Sequence, residues 1–371
     1  MTSERLTVGG LAAALDARFP VTWAESWDRV GLVIGGSETP VSGIHVTLDA
    51  TSEGVNRAAA EGANVLVTHH PPFLEMPGRV SRTAGPAGTL EAAVREGVAV
   101  ISMHTNLDRS PEGASALPKL LGLNCERPLE SGTEPVSLIV VYAPPTYEAI
   151  LRSAMADAGA GRLGQYSDCA FVASGTGHFT PGPGASPAVV AASEGADEVR
   201  IEMTAPPMFA DGIVEAARAA HPYEEPVILR LDGARARGMA RLGRVCTWQA
   251  GATVAGLAAH VAQALDVRPR VWGPGERTVT RIAVANGSAG SLVGRAGALA
   301  DVLIAGEVRY HDALDAVASG LAVIEAGHDV TEWPLIDVLV NAVTEAADGV
   351  RITRDAPAAG WWTIGDYDDR S

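Results

Sequence analysis

The stretch Asn64-Val65-Leu66-Val67-Thr68-His69-His70-Pro71-Pro72-Phe73 carries the first decision about the fold. A short apolar and β-branched run such as Asn64-Val65-Leu66-Val67-Thr68 reads as an extended strand. Pro71 and Pro72 end it, because proline supplies no N–H to a ladder and holds the residue before it extended. Upstream, residues 52–62 read as a helix and Ile44-His45-Val46-Thr47-Leu48 as another strand, which together make a βαβ unit. The two histidines thus stand at a strand exit, where α/β proteins place their sites.

Working outward, Leu11-Ala12-Ala13-Ala14-Leu15 is helical, residues 87–97 are helical, and Val98-Ala99-Val100-Ile101-Ser102-Met103 is a strand. Ser110-Pro111-Glu112 then supplies a cap and a first-turn proline for a helix to Leu121. The last third repeats the style. Helices are predicted over 253–265, 291–299, 311–319 and 330–346, and strands over 280–286, 301–305 and 321–325. Between about 130 and 238 the texture changes to apolar strands (Ser137 to Tyr142, Glu198 to Glu202) around helices at 146–158 and 211–220. Residues 181–187 read as a turn-rich loop and Leu231 to Gly238 as the return linker. The fold class is therefore α/β. Two similar α/β halves, 1–129 and 239–371, form one domain, and 130–238 is an insert of βαβ type.

A chain of 371 residues with 47% hydrophobic and 19% charged residues has the material for two or three units rather than one core. Its formal charge of −16 repels a phosphate backbone, and no Lys/Arg run makes a local exception, so nucleic-acid binding is not expected. No stretch approaches the ~18–20 continuous apolar residues of a membrane span, and no apolar signal core follows Met1, so a cytoplasmic protein is expected. The cysteines, Cys125, Cys169 and Cys246, lie far apart without a CxxC. They are read as buried free thiols, with neither a disulfide framework nor a thiolate metal site.

Two more strand ends resemble the first in chemistry. Met103-His104-Thr105-Asn106-Leu107-Asp108 puts an imidazole and a carboxylate just past one strand, and Glu325-Ala326-Gly327-His328-Asp329-Val330-Thr331-Glu332 does so past another. The 328/332 spacing sets His and Glu on one face of a first helical turn, where the two can chelate together. Adjacent histidines suit a site with two ions, since each imidazole can serve a different one. The donors are nitrogen and oxygen without sulfur, so Zn, Mn, Fe, Co or Ni are all admissible. A carboxylate such as Asp108 or Glu332 can bridge two such ions, and paired ions activate water for hydrolysis.

These motifs together resemble the Ngg-interacting-factor-three-like family, the type-two GTP cyclohydrolase I homologues. The resemblance runs through Trp27-Asp28-Arg29-Val30-Gly31-Leu32, Leu48-Asp49-Ala50-Thr51, the stretch 68–73, His104 to Asp108, Ala305 to His311, and Gly327 to Glu332. It implies a dinuclear centre with His69, His70, Asp108, His328 and Glu332 as ligands to two divalent ions per chain. His104 lies beside them as a further ligand, a group behind the ligands, or a proton shuttle. It also implies a homohexameric toroid built as a trimer of dimers. The insert, through Gly175 to Phe179 and Ala220 to Pro226, is similar to the ferredoxin-like (PII-like) insert of longer bacterial members; for His221 and the adjacent glutamates, local hydrogen bonding and a second metal site are equally good readings. Arg29 stands where Asn is usual and Glu307 where one form of the motif has Asp. The activity implied is metal-dependent hydrolysis, with GTP ring opening or another nucleotide or phosphorylated small molecule as substrate. The alternative is a non-catalytic metal-binding ring whose insert senses a ligand.

Overall fold

The computed structural model describes residues 5–25, 27–78, 85–163, 166–186, 188 and 195–357. Pro187, in the turn-rich loop, lies outside them. The chain divides into two compact units, one made of residues 1–131 and 238–371, the other of Gly132–Arg237. In chain order the first unit begins with β1 (Gly31–Ile34), β2 (Ile44–Asp49), β3 (Val65–His70), β4 (Ala99–Ser102) and β5 (Asn124–Pro128). The second unit holds β6 (Thr133–Ala143), β7 (Ala170–Gly177), β8 (Ala196–Ala205) and β9 (Ile228–Ala236). The first resumes with β10 (Arg244–Thr247), β11 (Arg270–Trp272), β12 (Ile282–Val284), β13 (Val302–Ala305), β14 (Ala322–Glu325) and β15 (Ile352–Arg354).

The first unit contains two sheets of the same winding. One runs β1-β4-β3-β2-β15, with β2, β3 and β4 parallel and β1 antiparallel to β4. The other runs β11-β14-β13-β12-β10-β5, with β12, β13 and β14 parallel and β11 antiparallel to β14. Thus β1–β4 and β11–β14 trace the same path, which gives the two similar halves a common winding. The central strands are covered on both faces: Val65, Leu66, Val67, Leu303, Ile304 and Val323 have no exposed surface. Helices Ser52–Ala60 and Val254–Leu265 begin on Thr51 and Thr253, whose hydroxyls accept the N–H of Gly54 and Gly256 and so satisfy a donor the helix leaves free.

What joins the halves is an exchange of helices. The 19-residue helix His328–Ala346 follows β14 of the second sheet, but its Leu335, Ile336, Leu339 and Val343 pack with Leu11, Leu15, Ile44 and Val67 of the first. Conversely, Leu117 and Leu121, which follow β4 of the first sheet, pack with Val261, Ile282 and Ile304 of the second. Each half therefore completes the other's core. Removing either helix would expose apolar area worth about 25 cal/mol per Å2, so the halves form one folding unit.

In the second unit a four-stranded antiparallel sheet, ordered β7-β8-β6-β9, is backed by helices Glu148–Asp157 and Ala210–Ala220. This is the split βαβ arrangement of ferredoxin-like folds. Residues 231–236 are not a linker but the greater part of β9, paired along β6 from Thr133↔Ala236 to Val141↔Ile228. The sequence conceals the end of this strand because its faces are largely exposed and Gly233 to Ala236 includes no β-branched or bulky apolar residue. Among the described residues no helix is long and apolar enough to cross a membrane.

Candidate metal centre

His69 and His70 end β3. His69 is fully buried, and its Nδ1 donates to the Met103 carbonyl at 2.9 Å, which turns Nε2 toward Asp108 Oδ2 and Glu332 Oε1, each 3.7 Å away. His70 Nδ1 donates to Asp49 Oδ1 at 2.8 Å, and its Nε2 lies 2.9 Å from Glu332 Oε2. Asp49 is the residue opposite His70 in the parallel ladder, so the strand pairing itself delivers the carboxylate. His328 opens its helix, with Nδ1 3.2 Å from Glu307 Oε1 and Nε2 3.1 Å from Glu332 Oε1 one turn on. Glu307, longer by one methylene than the Asp of the related motif, makes that reach.

Six residues converge in three overlapping groups whose donor atoms lie within 4.8 Å of one another: His69/Asp108/Glu332, His70/His328/Glu332 and His69/His70/His104. Adjacent residues of a regular strand point to opposite faces, yet the His69 and His70 rings approach to 4.8 Å between centroids, at the end of the strand where the backbone is released into the proline pair. Glu332 belongs to the first two groups. The winding described above gives the set a pseudo-symmetry: His104 and Asp108 follow β4 with the same i,i+4 spacing by which His328 and Glu332 follow the corresponding β14.

The donor set fits metal cations. His69 Nε2, Asp108 Oδ1 and Glu332 Oε2 are buried without a hydrogen-bond partner among the described residues, Glu332 Oε2 being ion-paired with His70 Nε2 at 2.9 Å. Unsatisfied buried polar atoms are costly, about 1–3 kcal/mol each, and three of them aimed at one point mark a place for positive charge. The backbone is shaped to the same end. At Gly287 (φ +53°) a Cβ would overlap Glu332 Oε1, and at Gly306 it would come within 2.6 Å of the Gly287 carbonyl and Thr331 Oγ1. The turn Asn286-Gly287 is therefore a wall of the site.

Electrostatics in the metal-free chain follow from this crowding. Burial opposes ionisation of Glu332, but His328, His69 and His70 outweigh it and hold the carboxyl well below its ordinary range. Asp108 goes the other way, pushed up first by burial and then by Glu332. For His70 burial is outweighed by Asp49 and Glu332, which raise it to about 10, and Glu332 and Glu307 together raise His328 to about 9 against its burial. Both folded values lie above the ordinary ~6.5 of histidine. Their stabilisation is complete below about pH 6.5 and is lost as pH rises through 9 and 10. In chelator, the melting temperature is expected to fall between pH 7 and pH 10, and a flat or rising profile would contradict these pairings.

His104 is held from behind. Its Nδ1 donates to Asp28 Oδ1 at 2.8 Å, while Asp28 Oδ2 accepts from the Thr105 backbone N–H and hydroxyl. Burial would raise Asp28, but these bonds and the imidazole bring it down to about 2. The contact fixes the tautomer that leaves Nε2 facing the other histidines. Trp27 meets the His104 ring edge-on, and Arg29 lines a cavity of about 380 Å3 with Val30, Phe73 and Met76. Asp28, Asp49, Asn286 and Glu307 carried no role in the sequence reading, although each stands in a stretch quoted there. Asp49 and Glu307 end or follow strands that flank the ligand-bearing ones, and that position was the available signal.

The insert takes no part in these groups. His221 Nε2 donates to the Tyr142 carbonyl at 2.8 Å and its Nδ1 accepts from the Tyr223 N–H at 3.1 Å, so both ring nitrogens are used locally. Tyr223 in turn donates to Glu198, and Glu224 accepts from the Ser186 N–H. Local hydrogen bonding, not a second metal site, accounts for this cluster.

The model of the family described as Duf34/NIF3 (NGG1p interacting factor 3) matches residues 6–355. A Mycobacterium leprae protein named GTP cyclohydrolase 1 type 2 homolog is 34% identical over 331 residues, covering 86% of this chain and 85% of its own. A Bacillus subtilis protein of the same name is 34% identical over 316 residues, covering 83% and 84%. The crystal structure of a Bacillus cereus protein related to NIF3 superimposes with a TM-score of 0.65 at 30% identity, covering 98% of this chain and all of that one. With the pairing of its two halves and a match over nearly its whole length, the chain belongs to the Duf34/NIF3 (NGG1p interacting factor 3) family.

Proposed function

We propose that the protein is a metal-dependent hydrolase that binds two divalent ions. His69, Asp108 and Glu332 would hold one ion and His70, His328 and Glu332 the other, Glu332 being common to both sets. The observation that carries this reading is the convergence, from three strand ends, of three buried donor atoms without a hydrogen bond. Bound there, divalent ions supply Lewis-acid polarisation and make water a competent nucleophile at neutral pH. The chain's own contribution beyond ligation is the Asp28–His104 pair, which presents Nε2 to the site as an oriented proton acceptor. GTP is the first substrate to test, because the relatives carry that name; a nucleotide or phosphorylated small molecule is the wider class. The homohexameric assembly belongs to the same proposal and is read by mass in solution.

The test is metal analysis of the purified protein followed by incubation of the loaded protein with GTP, monitored for formate, and with a panel of phosphoesters and nucleotides. Asp28→Asn is run in parallel. Two ions per chain and turnover that falls about 100-fold or more in Asp28→Asn, with metal content intact, are expected, in line with the weight of a positioned general base. Two ions and no turnover of any substrate would instead favour the non-catalytic ring, and absence of metal after reconstitution would end both readings.

A further inference from the structure

Outside the metal centre, the structure corrects the reading of the cysteines as separate buried thiols. Cys125 and Cys246, 121 positions apart, have their Sγ atoms 2.7 Å from each other. Cys125 is exposed and Cys246 fully buried. They are Cα partners across the antiparallel pair β5–β10, and β5 is the last strand of its sheet. Residues directly opposite in such a ladder have Cα atoms about 4.5–5.5 Å apart, inside the window a disulfide accepts. The third cysteine, Cys169, lies in the other unit, its Sγ 3.9 Å from the Ser167 carbonyl.

A second, independent feature accompanies the pair. Arg244, two residues before Cys246, is buried, and its guanidinium donates to Ser115 Oγ and to the carbonyls of Pro111, Arg241 and Gly243. Among the described residues no carboxylate faces it. A buried cation without an anion favours negative charge beside it, and the thiols are the neighbouring groups that can supply one. Consistently, the Cys246 thiol and then Arg244 draw Cys125 below its ordinary range, whereas Cys246 is pushed up by Cys125 and by burial. An exposed nucleophilic sulfur with a buried resolving partner is the arrangement of a redox-active dithiol.

We propose that Cys125 and Cys246 are a redox modification site that closes to a cross-strand disulfide on exposure to a peroxide. The Cys125 thiolate attacks one peroxide oxygen, the O–O bond breaks, and hydroxide leaves to be protonated to water. The Cys246 sulfur then attacks the Cys125 sulfenic sulfur, the S–O bond breaks, and a second water leaves with the Cys246 proton. In sum two thiols and one hydrogen peroxide give one disulfide and two waters; the sulfurs lose two electrons and the peroxide gains them. The bond joins the strand by which the chain leaves the first unit to the strand by which it returns, closing a loop that contains the whole insert. The inference is independent of the metal reading.

The experiment treats the full-length, metal-loaded protein with hydrogen peroxide, blocks remaining thiols under denaturing conditions, and maps the peptides by mass. The expected result is one linked Cys125–Cys246 peptide pair, about 2 Da lighter than the two thiol peptides together, with Cys169 still blocked and the link reversed by dithiothreitol. Cys169→Ser should give the same link; Cys246→Ser should give none and leave Cys125 as a sulfenic acid that a dimedone probe captures. Three fully blocked thiols after peroxide, a link that involves Cys169, or a link only between two chains would each overturn the proposal. Because wild-type protein carries the decisive readout, a variant that fails to fold does not protect the idea.

Discussion

Glu332→Ala is expected to abolish binding of both ions, whereas His328→Ala is expected to leave one. Glu332 is the member common to His69/Asp108/Glu332 and His70/His328/Glu332, with Oε1 3.1 Å from His328 Nε2 and 3.7 Å from His69 Nε2, and Oε2 2.9 Å from His70 Nε2. Its side chain is 5% exposed, so no nearby solvent-borne carboxylate can replace it. Loss of partners that merely orient ligands commonly costs 10- to 100-fold in affinity, so loss of a bridging ligand should cost on the order of 100-fold or more at each position. His328, by contrast, belongs to one of the two groups and is partly exposed. Elemental analysis of the two variants beside wild type decides the matter. Equal ion content in both variants would remove Glu332 from the bridging position.

The second large effect concerns a residue without a side chain. Gly287→Ala places a methyl where Glu332 Oε1 stands and within 3.1 Å of His328 Nε2, at a backbone φ of +53°. Of the two obstacles the collision is the greater, because Glu332 is itself walled in. Overpacking of this kind costs about 1–3 kcal/mol of stability, while displacement of the bridging carboxylate should lower metal affinity about 100-fold, as argued for its removal. Gly290→Ala is the control. It shares a positive φ, +46°, but no atom lies within 4 Å of its would-be Cβ, so it isolates backbone strain from collision. Metal affinity by chelator competition and stability by urea denaturation should therefore separate the two variants. Similar losses in both would assign the effect to the turn's conformation rather than to the carboxylate.

Much of the first unit was legible because its signals are local. The strands around Val65–Val67, Val302–Ile304 and Ala322–Ile324 are apolar runs bounded by breakers, and the helices between them carry a 3.6-residue periodicity and, at Thr51 and Thr253, caps. The His-x-x-x-Asp and His-x-x-x-Glu spacings after β4 and β14 were visible for the same reason. Edge strands were not. The strand β5 is exposed at four of its five positions and shows no alternation, and β9 is exposed on most of both faces and runs out into Gly233 to Ala236, where no bulky apolar or β-branched residue marks a strand. Cross-strand partners were equally hidden, since Cys125 and Cys246 meet only through a pairing of strands that flank the entire insert.

The sequence by itself determined which residues can ligate, by chemical type, by their place at strand exits and by helical spacing. Only the tertiary structure decided that they meet, because the helix carrying His328 and Glu332 belongs by chain order to the second sheet and by packing to the first. That exchange is driven by the apolar face of Leu335, Ile336, Leu339 and Val343. The orientation of each imidazole was likewise a tertiary matter, set by the Met103 carbonyl, Asp49, Glu307 and Asp28 from neighbouring strands and loops. Local sequence specifies the reach of a side chain; the burial of distant apolar surfaces brings its partners within that reach.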